Sequence, residues 1–392
     1  MRELVGNVLI LQVGVPSAVT NVILAELTKK SLNYDCIEEV LGCIGGFDNL
    51  LNEQFVDLAS QQQKTIANLV GTPGAILRSV KSIQKTDYEP ERMISVCEKN
   101  NIRYLFVIGS VRSIEICQKL ENAAKDAKYE LKLILVPTCD YNSIQLTDHC
   151  LGFGSMAKNI AIVTKNVITN IQSQQTDGAV TILEFSDCDD DWILSSSSLA
   201  RLRKDSSDAP NIVLLSRFDE ETFVRNAHAL IKDIGSCAVV VGNRLCDANG
   251  TQIHAETTAA EHVKMVAESN FDVEVDLVTL SDWKNVPSTV LSQTDVHECE
   301  LCAQKVLEFS VEMGISGKMM TILRTDAQKY TSEISCVEIG NVSLNKKCLP
   351  SEWYSYDEMS LDVPFFKYAS PLIAGEVFPQ YESGVPVFAK LK

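Results

Sequence analysis

No apolar run in this sequence approaches the roughly 20 residues a helix needs to cross a bilayer. Positive charge is also in short supply. Thirty-five Lys and Arg stand against 52 Asp and Glu, a net charge of −17. Such a surface repels polyanions, which excludes nucleic acid and an anionic membrane as partners. There is no internal repeat at solenoid spacing and no low-complexity linker; the serines at 195–198 lie inside a helical pattern. The opening residues, MRELVGNVLILQVGVP, lack a small-residue cleavage site and read as a first core strand, not a signal. Cys299-Glu300-Leu301-Cys302 has no second pair at metal-knuckle spacing, so helical spacing accounts for it. Asp187, Asp189 and Asp191 open like a calcium loop, but Trp192 stands where that loop needs glycine and Ser198 where it needs glutamate. Many of the thirteen cysteines, Cys43, Cys117 and Cys237 among them, lie in apolar patterns. They are expected to be reduced, buried thiols of a cytoplasmic protein.

What is present is regular alternation. Short apolar runs at 8–13, 104–108, 131–136, 179–184, 212–215 and 237–241 read as buried parallel strands. Between them lie helical patterns at 22–29, 89–100, 114–124, 156–171, 192–203, 220–234 and 254–269, with Ser155 as the expected N-cap of the fourth. Strands alternating with helices imply an α/β fold with helices on both faces of parallel sheets. The chain's 392 residues suffice for two such domains. A site is expected where strand 131–136 ends at Pro137, because open α/β sheets bind ligands at the carboxyl ends of their strands.

Specific motifs sharpen this. Val136-Pro137, Thr147-Asp148 and the run LGFGSMAKNIA at 151–161 resemble the central segment of the phosphofructokinase family, especially its diphosphate-dependent branch. Gly314-Ile315-Ser316-Gly317-Lys318, Leu349-Pro350-Ser351-Glu352-Trp353 and the passage from Phe366 to Glu376 resemble the same branch, so the likeness spans roughly 8–386. The resemblance implies two doubly wound parallel-sheet domains with a cleft between them. The expected division is 1–140, 141–275, and a C-terminal segment 276–392 that partly returns to the first domain.

The resemblance also marks what has been lost. The family's Lys-Thr-Ile-Asp-Asn-Asp, which carries the phosphoryl-transfer centre, falls on Thr138, Cys139, Asp140, Tyr141, Asn142 and Ser143. Cys139, Tyr141 and Ser143 are therefore degenerate catalytic positions, with tyrosine in place of the general base. Val111 and Arg112 replace the magnesium-holding aspartate and its neighbour. Asp140 is one residue from the base position, and in extended backbone that step sends a side chain to the opposite side. Gly14, Asn21, Arg78, Lys81 and Ser113 fall on the family's phosphate-contacting segments and are expected to form a vestigial phosphate site. Val15 and Val19 replace glycines in the first of these turns. Two functions follow as expectations. The first is a catalytically inactive member acting through protein–protein binding, with no cofactor and no metal. Its partners would be an active phosphofructokinase homologue or a cytoskeletal assembly, and it would form a homo-oligomer in the cytoplasm or on the cytoskeleton. The alternative is an active diphosphate-dependent 6-phosphofructokinase using Mg2+ and relocated residues, among them Asp140, Lys81 and Arg78.

Overall fold

Val8, Leu9, Ile10 and Leu11 have no exposed surface at all, the mark of a strand covered on both faces. A computed structural model describes residues 4–79, 89–174, 179–201, 208–253, 256–326 and 329–392. Its principal strands are β1 (Gly6–Val13), β2 (Ile37–Cys43), β3 (Phe55–Asp57), β4 (Ile102–Gly109), β5 (Lys132–Pro137), β6 (Val180–Phe185), β7 (Ile212–Leu214), β8 (Cys237–Val241), β9 (Val275–Leu280), β10 (Lys318–Asp326) and β11 (Thr331–Glu338). The chain divides into two compact units, one of Met1–Ser155, Pro287–Lys347 and Ala374–Lys392, the other of Met156–Val286 and Cys348–Ile373.

The first unit holds a seven-stranded sheet in the order β11-β10-β5-β4-β1-β2-β3. Its central pairings, β2-β1, β1-β4, β4-β5 and β5-β10, are parallel, while β3 and β11 close the two edges antiparallel. Successive residues alternate between the faces, as strand pleating requires. Val8, Ile10, Phe106, Ile134 and Val136 join one core cluster; Leu9, Leu11, Leu105, Leu133 and Leu135 join the other. From β1 the chain runs outward to β2, then crosses back to β4 on the opposite side. The carboxyl ends of β1 and β4 thus flank a topological switch point, where open α/β sheets take their ligands.

The second unit is built on an all-parallel sheet, β7-β8-β6-β9. Its expected helices form with local caps. Asp190 accepts from the Trp192 and Ile193 amides, and Thr258 and Glu261 make a capping box before the helix Ala259–Asn270. The helix expected at 192–203 instead runs as Asp191–Ser196 and a tighter turn, Ser197–Ala200. His254, the expected start of a helix, lies outside the described residues.

The helix expected to begin after Ser155 runs over Phe153–Gln172 instead. Ser155 is therefore inside the first turn and is not its N-cap. Its amide and hydroxyl both donate to Asp295 Oδ2, at 2.9 and 2.7 Å, and Asp295 Oδ1 accepts from the Gly152 amide at 2.8 Å. A carboxylate from the helix Gln293–Leu307 satisfies the amides that a local cap would otherwise take. All thirteen cysteines are free, and most are buried. Among the described residues no helix is long and apolar enough to cross a membrane.

Candidate active site

Three strand ends in the first unit open into one cavity of about 620 Å³. β1 supplies Gly14, Val15, Pro16 and Ser17; β4 supplies Ser110 and Val111, with Arg112, Glu115, Ile116 and Lys119 on the helix Arg112–Asp126 that follows. β5 supplies Thr138, Cys139, Asp140, Tyr141 and Ser143, and Leu344 and Lys346 complete the wall. Gly14 turns the chain out of β1 with φ +84°, a left-handed conformation that glycine adopts without strain. The Thr138 amide donates to Gly109 O at 2.8 Å, which holds the ends of β4 and β5 together beyond the sheet.

Beyond Thr138 the backbone is not extended. The Asn142 amide donates to Cys139 O at 3.2 Å across a turn, and Asn142 itself has φ +50°. Asparagine is among the few side chains that tolerate this region. The turn corrects the expectation that Asp140 faces away from the base position. Asp140 and Tyr141 line the same cavity, because strand alternation holds only where the backbone is pleated.

Asp140 is 9% exposed. One of its oxygens accepts from the Ala18 amide at 3.3 Å. Burial pushes its carboxyl well above the usual carboxylate range; the charges of Cys139 and Asp295 add to this, and the Ala18 amide opposes it. Gly152 is obligatory beneath it, since a Cβ there would lie 2.4 Å from the Asp140 oxygen and 2.9 Å from Ser17 Cβ. A buried carboxyl raised in this way, open to a cavity, has the properties of a general base.

Nine residues further on, the same loop enters a buried charge cluster that sequence reading missed. His149 is 1% exposed. Its Nδ1 lies 3.0 Å from Asp148 Oδ2 and its Nε2 2.7 Å from Glu298 Oε2. Arg324 contacts Asp148 at 3.3 Å and stacks over the Tyr330 ring, whose hydroxyl donates to Glu298. Burial alone would push the imidazole down. The charge of Glu298 and the hydrogen bonds to both carboxylates outweigh burial and raise it to about 9. Burial likewise opposes the ionised form of Asp148 and Glu298, but His149 beside them holds both below their usual range. His149 is thus an imidazolium clamped between two carboxylates. It joins the loop to the helix Gln293–Leu307 and to the β10–β11 hairpin.

Of the residues singled out in the sequence, Gly14, Cys139, Tyr141 and Ser143 meet at the cavity. Asn21 is 1% exposed and committed to structure. It donates to Thr72 O at 2.8 Å and accepts from Gln12 Nε2 at 2.9 Å and the Ile76 amide at 3.0 Å. Ser113 is fully buried in the first turn of its helix, and exposed Arg78 has φ +60°; neither is among the residues lining the cavity. Lys81 lies outside the described residues. The cavity cations Arg112, Lys119 and Lys346 were not foreseen as a group, because they come from two separate segments. Lys119 pairs with Glu115 at 2.8 Å.

The phosphofructokinase family model matches residues 7–285. The chain is 28% identical over 375 residues to the pyrophosphate–fructose 6-phosphate 1-phosphotransferase of Halomonas elongata, covering 91% of this chain and 89% of that one. It is 26% identical over 408 residues to the Methylococcus capsulatus protein of the same name, covering 98% and 96%. A sulfofructose kinase of Alkalicoccus urumqiensis is 25% identical over 360 residues, covering 88% and 89%. Among solved structures, the pyrophosphate-dependent phosphofructokinase of Marinobacter aquaeolei superposes with a TM-score of 0.87 at 27% identity, over 99% of this chain and 96% of that one. These relatives overturn the expectation that no cofactor is involved. The Halomonas, Methylococcus and Marinobacter proteins are named for diphosphate-dependent phosphoryl transfer, chemistry that runs with Mg2+. With this match and the strand order described above, the chain belongs to the phosphofructokinase family.

Proposed function

We propose that this chain is a diphosphate-dependent 6-phosphofructokinase that moves a phosphoryl group from diphosphate to the 1-hydroxyl of fructose 6-phosphate, with Asp140 as its general base. The observation that carries this reading is the turn at 139–142, which brings Asp140 to the cavity beside Tyr141. The names of its relatives favour the same reaction over the inactive binding subunit that the substitutions alone suggest.

Each residue has a task that suits its chemistry. Asp140 takes the hydroxyl proton as the sugar oxygen attacks phosphorus, and the P–O bond to the departing phosphate breaks. It must be ionised to do so, and once ionised a carboxylate that burial disfavours takes up a proton more readily. Arg112, Lys119 and Lys346 place positive charge on the cavity wall, where a diphosphate needs it. Arg112 stands near the position that carries a carboxylate in the resembled motif, so a cation takes over part of the neutralisation. Mg2+ is commonly held by one or two carboxylates together with substrate phosphates. Glu115, exposed on the cavity wall, is of that type. When bound, the ion would neutralise charge on the transferring group.

Purified protein is assayed with diphosphate, Mg2+ and fructose 6-phosphate, with ATP and sulfofructose as alternative donor and acceptor. Diphosphate-dependent turnover of fructose 6-phosphate that disappears in Asp140→Asn is the expected result. A second reading, a binding protein without turnover, is favoured by Tyr141 at the base position. Calorimetric binding of diphosphate with no turnover for any donor–acceptor pair overturns the first reading and leaves the second.

A further inference from the structure

We propose that Cys139 and Cys150 form a peroxide-sensitive dithiol in the wall of this cavity, closing to a Cys139–Cys150 disulfide on oxidation. The loop that carries both is tied at its two ends. Thr138 bridges Leu151 in parallel, the Cys139 amide donates to Leu151 O at 3.0 Å, and the Cys150 amide donates to Asn142 Oδ1 at 3.0 Å. These bonds seat the two cysteines beside each other across the loop, close enough for each thiol to shift the other. Cys139 Sγ also lies 3.1 Å from Ser143 Oγ. The two sulfurs differ in access: Cys139 is half-buried and lines the cavity, whereas Cys150 is 1% exposed behind it. That is the arrangement of an attacking and a resolving thiol.

Their chemistry divides the same way. The hydrogen bond from Cys150, helped by Ser143 and two backbone amides against the effect of burial, brings the Cys139 thiol down to about 6. Burial and the neighbouring Cys139 push Cys150 well above the usual thiol range. Cys43, Cys97, Cys188, Cys237 and Cys302 are all pushed up to about 12, chiefly by burial, so they stay protonated and inert. Of the two, Cys139 is thus the thiol that ionises more readily, and it faces an open cavity.

The oxidant is a hydroperoxide. The Cys139 sulfur attacks the near oxygen of hydrogen peroxide, the O–O bond breaks, and the departing hydroxide is protonated to water, leaving a sulfenic acid. The Cys150 sulfur then attacks the sulfenic sulfur; the S–O bond breaks and the hydroxyl leaves with the Cys150 proton as a second water. The two sulfurs lose two electrons, and the peroxide gains them. Closure removes the thiolate beside Asp140 and braces the turn that presents Asp140. The inference does not depend on turnover.

The experiment uses the full chain and hydrogen peroxide, followed by iodoacetamide and mass spectrometry. Both sulfurs lie on one tryptic peptide, Leu133 to Lys158. At equimolar peroxide this peptide is expected to lose two hydrogens and to take up no alkyl group, while the other cysteine peptides remain alkylated. Cys150→Ser is expected to leave a dimedone-reactive sulfenic acid on Cys139; Cys139→Ser is expected to leave Cys150 alkylatable after unfolding. Should either variant fail to fold, the wild-type peptide decides alone. The proposal is overturned if Cys139 is still alkylated when exposed Cys348 has oxidised, or if oxidised Cys139 is found bonded to any cysteine but Cys150.

Discussion

One loop, residues 138–152, serves two regions of opposite character. Its first half, Thr138 to Ser143, lines the cavity and holds a buried carboxyl that resists ionisation. Its second half, Thr147 to Cys150, is fastened by an imidazolium between two ionised carboxylates. The Lys347 ammonium caps the Thr147 and Asp148 carbonyls from the other side. Charge in the second half is compensated and stabilises the fold. Charge at Asp140 is only partly compensated, by one amide at 3.3 Å, and works against the fold.

The largest effect is expected at the clamp. His149→Ala leaves Glu298 and Asp148 without their shared cation, and breaking a buried pair from one side costs about 3–5 kcal/mol. Urea unfolding is expected to show that loss in its midpoint. A midpoint within about 0.5 kcal/mol of wild type would mean the cluster is no clamp.

Asp140→Asn tests the other half and is expected to do the reverse. Removing a general base costs about 100- to 10,000-fold in turnover. Because the carboxyl is buried and raised, the same change is expected to stabilise the fold by about 0.5–2 kcal/mol. Loss of both activity and stability would erase the distinction between the halves.

The pH dependence of stability sharpens the comparison. His149 is raised from 6.5 to about 9 on folding, so its contribution is fully present below pH 6.5 and is lost as pH rises through about 9. Asp148 and Glu298 are lowered, so their contribution is present above their unfolded pKa values and is lost as pH falls through the folded ones. Asp140 is raised, so it favours the folded state only at acid pH and weighs against it as pH rises. Unfolding followed from pH 4 to 10 is expected to show an alkaline decline that His149→Ala makes shallower, the remainder coming from the buried thiols raised to about 12. Asp140→Asn is expected to spare that decline and to remove the loss of stability that ionising a raised carboxyl brings as pH rises from 4.

The smallest effect belongs to the exposed rim. Lys119→Ala breaks a surface pair with Glu115 worth less than about 1 kcal/mol. Thermal unfolding is expected to be almost unmoved, whereas diphosphate affinity measured by calorimetry is expected to weaken by about two- to fivefold.

Much of the fold was legible because it rests on local pattern. The largely apolar runs at 8–13, 104–108, 131–136 and 237–241 are strands of the two sheets, broken only by buried Gln12 and partly buried Lys132. The site was legible only in part. Asp140 was misjudged because alternation was carried past the end of β5. Asp140, Asn142 and Ser143 are turn-forming residues, and that signal could have corrected the reading. His149 showed no periodic signal, and its partner Glu298 is 149 residues away in sequence.

By itself the sequence determined the alternation of strand and helix and the family likeness. Both depend on residues near one another in the chain. Only the tertiary structure decided which surviving groups face the cavity, where Ser155 and His149 find their partners, and which thiol is exposed to react. Those outcomes depend on burial and on charges brought close from distant segments, and the free energy of an ionised group is set by what surrounds it in space.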